Sequence, residues 1–309
     1  MASGCCSPTV ATLTVANVRP ETLIASAPSS RLGMVKIPAG PFSMGTNSAL
    51  AYPADGEGPK RTVTVDEFWI DQAAVTNEEF SRFVEATDYI TEAELNTWSF
   101  VPEFLLAESD QQHVVGQSAD TPWWVGVTGA NWRHPLGPSS SLKDFRSHPV
   151  VHISWDDAQA FARWCGKRLP TEAEWEKAAR GGQENMLYAW GNEVKVDSHD
   201  MCNIWQGEFP TSNTAEDGFL GTAPVNSFEP NGYGLYNVCG NVWEWCADSW
   251  DSQVSEDSKV IKGGSFMCHD SYCNRYRLSA RTSHARNGFT AHIGFRCVAD
   301  TNTELLGSL

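Results

Sequence analysis

The chain has 309 residues, 41% hydrophobic and 19% charged, with 22 Lys and Arg against 38 Asp and Glu. A chain of this length buries roughly 75% of its unfolded surface and needs no disulfide staples to fold. The net charge of −16 argues against a nucleic-acid surface, which needs clustered Lys and Arg. No apolar run reaches the roughly 18 residues that a membrane-spanning helix requires.

Residues 1–32 are rich in Ser, Ala, Thr and Pro and show no amphipathic period, so they read as a flexible leader. They carry no Lys or Arg before Arg19 and no sustained apolar core, which argues against a secretory signal and for a cytoplasmic protein. The globular domain is expected over 33–301, with a tail at 302–309.

Met34-Val35-Lys36-Ile37 alternates as a strand, and Pro38-Ala39-Gly40-Pro41 turns it. Thr62-Val63-Thr64-Val65 and Phe68-Trp69-Ile70 read as a strand pair or one bent strand. Three helices announce their starts by a hydroxyl three residues before a carboxylate: Thr76 with Glu79, Ser154 with Asp157, and Thr171 with Glu174. Phe80, Phe83 and Val84 give the first an apolar face; Phe161 and Trp164 do so for the second. Gly166 stops the second helix and Gly181-Gly182 the third. His148-Pro149-Val150-Val151-His152 is expected to be a strand with two structural histidines, because no His-Glu-x-x-His helix is present.

After Gly182, glycine, asparagine and proline recur at close intervals with tryptophans between them, as in Pro230-Asn231-Gly232-Tyr233-Gly234. No repeat is visible. Such a region must be held by buried aromatics, side-chain-to-backbone hydrogen bonds and bound ions. The expected fold is therefore one irregular α+β domain with little regular secondary structure.

Of nine cysteines, six fall between Cys202 and Cys297. The most informative stretch runs from Gly263 to Arg277 and holds Cys268 and Cys273, flanked by His269, Arg275 and Arg277. Cationic neighbours lower a thiol pKa. Zinc would ask for four ligands, and paired Cys-x-x-Cys units are absent. Two converging thiolates suit Cu(I) or a redox disulfide, and two unrelated structural thiols are the plain alternative.

This stretch resembles the active-site segment of the formylglycine-generating enzymes, the sulfatase-modifying oxidases. Further motifs similar to theirs follow in order: Pro38-Ala39-Gly40-Pro41-Phe42-Ser43-Met44-Gly45, Arg168-Leu169-Pro170-Thr171-Glu172-Ala173-Glu174-Trp175-Glu176, Cys202-Asn203-Ile204-Trp205-Gln206-Gly207, Gly240-Asn241-Val242-Trp243-Glu244-Trp245 and Gly294-Phe295-Arg296-Cys297. The resemblance covers about residues 33 to 300 and implies a fold with a C-type-lectin-like core.

It also implies a copper-dependent oxidase that converts a cysteine in a Cys-x-Pro-x-Arg sequence of an unfolded or nascent sulfatase polypeptide into Cα-formylglycine, using molecular oxygen. The enzyme would act as a monomer, with no membrane or nucleic-acid partner. By this resemblance Cys268 and Cys273 hold Cu(I), and Ser265 lies beside the oxygen pocket. Tyr272, Trp243, His269 and Arg281 line the substrate side, with Trp123-Trp124 near it. Two structural Ca²⁺ sites are implied as well: Asn203, Ile204, Asp217 and Phe219 in one, Asn237, Gly240, Val242 and Glu244 in the other. Without the resemblance, these Asx side chains would read as turn caps.

One departure stands out. Many members carry Asn-Thr-Pro-Asp-Ser-Ser where this chain has His284-Ala285-Arg286-Asn287-Gly288-Phe289. The family uses this loop beside the peptide groove, so the departure bears on substrate choice. Two rival classes are a non-catalytic lectin-like binding module, whose members usually lack the cysteine pair, and an iron-dependent sulfoxide-synthase-like enzyme, whose extra helical domain is absent here.

Overall fold

The computed structural model describes Pro8, residues 30–251 and residues 255–301. The expected leader, with Cys5 and Cys6, and the tail lie outside the described residues, except for Pro8 and the leader's last three positions.

Strands β1 (Met34–Ile37) and β4 (Phe68–Asp71) pair antiparallel, and β16 (Val298–Asp300) joins β4 on its other side, so the two ends of the domain close on each other. Strands β2 (Gly40–Met44) and β3 (Arg61–Val65) form a second antiparallel pair, joined by the 45–60 loop.

All three expected capping boxes are present. They open α1 (Asn77–Thr87), α3 (Trp155–Trp164) and α4 (Glu172–Ala179). A fourth box, Thr91 with Glu94, opens the short α2 (Glu92–Asn96), which the reading above passed over. Phe80 and Phe83 on α1 pack edge-on, and Phe80 stacks with Phe161 of α3 and meets Trp132. Each such ring buries a large apolar area, which is how short helices hold together here.

A three-stranded antiparallel sheet, β5 (Trp98–Pro102), β7 (Trp124–Thr128) and β6 (Val114–Gln117), carries the Trp123-Trp124 pair. Its two longer strands are buried almost throughout, so no alternation announced them. The 148–152 segment is not a strand. Among the described residues its β-pairing is limited to an isolated bridge from Pro149 to Thr76, and His152 has a φ of 61°, which breaks an extended course. The two histidines go separate ways: His148 Nδ1 meets Thr222 Oγ1, and His152 sits between Ser99 and the Pro135 carbonyl.

Between α4 and residue 242 only two small hairpins form, β8 (Lys195–Val196) with β9 (His199–Asp200) and β10 (Gly207–Glu208) with β11 (Ser212–Asn213). Side chains replace the ladder here. Asn231 donates to the carbonyls of Ala178 and Ala179, ending α4, and accepts from the N–H groups of Tyr233 and Leu235.

The last sheet is β14 (Arg281–Ala285), β13 (Ser255–Lys262), β12 (Trp243–Asp251) and β15 (Ile293–Gly294), antiparallel except for β12 with β15. Its strand β12 opens with the buried Trp243 and Trp245, and α4 packs on it. Among the described residues no helix is long and apolar enough to cross a membrane. The α+β class with few helices and many short strands holds.

Candidate active site

Strand β13 delivers the chain into Gly263-Gly264, both with positive φ. Gly264 lies against Tyr276 so closely that a Cβ would come within 2.8 Å of the Tyr276 Cα, so only glycine fits. Two successive turns follow. The Cys268 N–H donates to the Ser265 carbonyl (2.9 Å), and the Cys273 N–H donates to the His269 carbonyl (2.7 Å). These turns fold the two thiols onto each other with Sγ to Sγ 3.4 Å and no disulfide between them. Both side chains are buried. The Ser265 N–H points at Cys268 Sγ (3.4 Å), and its hydroxyl accepts from the Met267 N–H (3.3 Å).

Converging thiols are soft donors of the kind that suits Cu(I), and here they lie in direct sulfur-to-sulfur contact. Among the described residues no three His, Cys, Asp or Glu side chains cluster, which argues against a four-ligand zinc centre.

A second segment, 52–57, closes over the thiol turn. The Tyr52 hydroxyl accepts from the Asn274 N–H (3.1 Å), and its ring lies 4.0 Å from the Arg275 guanidinium carbon. Arg275 Nε donates to Asp55 (2.6 Å), and Arg275 Nη1 reaches Cys273 Sγ at 4.0 Å. Arg277 forks onto Glu57 (2.6 and 2.7 Å). Arg281 grips Glu172 with two nitrogens and donates to the Asp55 carbonyl. The structure thus places Arg281 as an anchor of the 52–57 segment.

Aromatic rings surround the thiols. Tyr272 stacks on Phe209 (4.4 Å between centroids) and meets Trp123 edge-on (4.9 Å); Phe209 also meets Trp205, whose N–H donates to the Cys268 carbonyl. Trp243 lies in the same buried cluster as both cysteines, and its N–H donates to the His292 carbonyl. His292 packs at a tilt against Trp124 (4.6 Å between centroids), and burial holds its imidazole well below the ordinary histidine pKa. The indole N–H groups of Trp123, Trp124, Trp205 and Trp243 and the Nε2 of His292 are buried without a partner from the described residues. Each such group costs about 1–3 kcal/mol unless a water or another molecule satisfies it, so this wall offers several polar atoms to whatever fills the space beside it. His269 sits at the rim, hydrogen-bonded to Ser271 and within 3.2 Å of Asp270.

Of the two sets expected to hold calcium, the first is linked by direct contacts. Asp217 accepts from the N–H groups of Ile204 and Phe219, and Asn203 turns its amide to Gly221 and Asn241. The Oδ1 of Asn203 and the Oδ1 of Asn237 are both buried without a hydrogen-bond donor among the described residues. Orphaned oxygens beside a carboxylate and carbonyls fit a hard cation. The second set is tighter: the Glu244 carboxylate already accepts from Trp175 Nε1 and from two nitrogens of Arg296, and only its remaining lone pairs are open to an ion. Gly240 and Val242 are buried as well.

The sequence reading missed Tyr52, Asp55 and Glu57. They meet Arg275 and Arg277 across about 220 positions, and no local pattern links the two segments. The one available signal was charge: two arginines beside buried thiols require carboxylates from somewhere.

A family model described as "Sulfatase-modifying factor enzyme 1-like domain" matches residues 20–301. The formylglycine-generating enzyme of Thermomonospora curvata is 54% identical over 286 residues, covering 87% of this chain and 93% of that protein. The formylglycine-generating enzyme of Mus musculus is 51% identical over 279 residues, covering 86% of this chain and 75% of that protein. Among solved structures, PvdO from Pseudomonas aeruginosa superposes with a TM-score of 0.60 at 24% identity, over 86% of this chain and 94% of that one, a likeness of fold.

Proposed function

Because the chain belongs to the formylglycine-generating, sulfatase-modifying enzyme family, we propose that it oxidises a cysteine of a sulfatase polypeptide to Cα-formylglycine. The finer reading is a Cys-x-Pro-x-Arg client sequence, unfolded or nascent, with dioxygen as co-substrate and Cu(I) held by Cys268 and Cys273. The observation that carries it is the buried, unbridged thiol pair at 3.4 Å.

The overall change takes a CH₂–SH side chain with O₂, two electrons from a reductant and two protons to an aldehyde, H₂S and water. Bound Cu(I) would supply the one-electron chemistry with dioxygen that side chains lack. The chain's own residues prepare the place. Ser265 fixes Cys268 through its backbone N–H, and the turn at His269 fixes Cys273. Tyr272, Phe209 and Trp123 form an apolar wall on one side. Such walls exclude water and strengthen every polar interaction inside. Asn203 with Asp217, and Asn237 with Glu244, would hold structural Ca²⁺ that stiffens the loop-rich half.

The test is direct. Cu(I)-loaded protein, oxygen, a reductant and a short Cys-x-Pro-x-Arg peptide are combined, and the peptide is weighed by mass spectrometry. Copper-dependent conversion of thiol to aldehyde supports the reading. Absence of product together with absence of Cu(I) binding overturns it in favour of a binding module.

A further inference from the structure

Resting on the copper reading above, we propose that Arg275 is a positioning residue for the thiol pair: a fixed positive charge, held by Asp55 and Tyr52 against Cys273, that raises the affinity of the dithiol site for Cu(I). Two thiolates and one Cu(I) carry a net charge of −1 in a buried place, and a buried charge is costly unless countered. Arg275, although paired with Asp55, turns the positive end of that pair to the sulfur. Its Nη1 lies 4.0 Å from Cys273 Sγ, and the residue is 2% exposed.

The guanidinium is held from two sides, and the turn that carries it is tied as well. Asp55 takes Nε at 2.6 Å, the Tyr52 ring covers its face at 4.0 Å, and the Tyr52 hydroxyl ties the same turn at Asn274. An arginine so held loses little freedom when a ligand arrives, which is how an outer partner tunes a metal site. Arg277, two residues on, is the built-in contrast. It is equally buried and held by the same 52–57 segment, but its guanidinium goes to Glu57 and to the Asn274 carbonyl.

The test measures Cu(I) affinity of the full chain, without oxygen, by competition with a chromophoric Cu(I) chelator, alongside the melting temperature. Arg275→Met is expected to weaken Cu(I) binding by about tenfold or more, the range typical of outer-shell partners. Arg277→Met is expected to lower the melting temperature comparably and to leave Cu(I) affinity near the wild-type value, well short of the roughly tenfold loss expected of an outer partner. The double variant Asp55→Asn with Arg275→Met carries no orphaned carboxylate, so it guards against a folding artefact, and it should remain weak in Cu(I) binding. Equal affinity losses in the two arginine variants, or wild-type affinity in the double variant, would overturn the proposal. Wild-type protein that binds no Cu(I) would instead remove the copper reading on which it stands.

Discussion

Glu57 and Arg277 meet through two charge-assisted hydrogen bonds of 2.6 and 2.7 Å, with neither side chain exposed. The pair joins a loop from the first fifth of the chain to the segment that carries the thiols. Removing one partner leaves a buried, uncompensated charge, at a cost of about 3–5 kcal/mol. Glu57→Gln should therefore lower the urea midpoint strongly, while Glu57→Leu combined with Arg277→Met should cost less than either single change. A double variant as unstable as the sum of its parts would show that the two residues act separately.

The thiols themselves should matter little to the fold. Cys268→Ser and Cys273→Ser exchange sulfur for a smaller hydroxyl inside a turn held by backbone bonds, at a cost of about 1–2 kcal/mol. Each is expected to abolish peptide oxidation and Cu(I) binding while leaving the near-ultraviolet circular dichroism unchanged. Measurable turnover in either variant would rule out a mechanism that needs both sulfurs.

Much of this was legible beforehand because its causes are local. The three expected helices start where a hydroxyl and a carboxylate stand three apart, and Cys268 and Cys273 converge through turns spanning a few residues. What escaped was set by distant partners. Strands β5 and β7 are buried too evenly to alternate, His152 takes its strained φ to reach Ser99 and Pro135, and Asp55 finds Arg275 across the whole domain. Sequence period reports which face is wet, and says nothing where both faces are dry.

Calcium should stabilise the chain through amide oxygens rather than carboxylate clusters. A cation at Asn203 would satisfy the orphaned Oδ1, and at 100 times its Kd it adds about 2.7 kcal/mol to folding. Chelation is expected to lower the melting temperature of the wild-type protein. Asn203→Leu should lower it at the start and remove most of the response to chelator. A wild-type transition indifferent to both calcium and chelator would reject the assignment.

Acid should destabilise the protein through its buried neutral histidines. Burial pushes the imidazoles of His152 and His284 down to about 4, so both are neutral in the fold and take up protons near pH 6.5 only when it opens. The unfolded chain then binds more protons between about pH 6.5 and 4. Stability is whole above that window and falls as pH drops through it, by up to roughly 3 kcal/mol for each histidine. Asp71 and Asp248, raised by burial, push the other way, so the informative quantity is a difference. His152→Asn should flatten the slope of unfolding free energy against pH between 6.5 and 4.5; an unchanged slope would mean that His152 is not buried neutral.

The divergent loop is a matched exchange rather than a loss of pattern. His284 packs its ring edge-on against Trp245, and the Gly288 N–H turns back to the Ala285 carbonyl, laying Gly288 on the imidazole. A Cβ at 288 would overlap the His284 ring. The resemblance drawn from the sequence puts Asn and Ser at these two positions, whereas this chain pairs a large ring with no side chain. Arg286 clamps Asp156 with a forked ion pair, Phe289 packs on Trp98, and the His284 side chain itself is buried. Gly288→Ser alone should therefore cost about 2 kcal/mol, typical of overpacking. Adding His284→Asn opens the volume the serine needs, and the double variant should recover at least half of that loss. The coupling, read from a four-member cycle of urea midpoints, is expected at about 1 kcal/mol or more. Additive single effects would instead mean that the loop absorbs the serine by shifting its backbone, and that residues 284 and 288 did not change together for reasons of space.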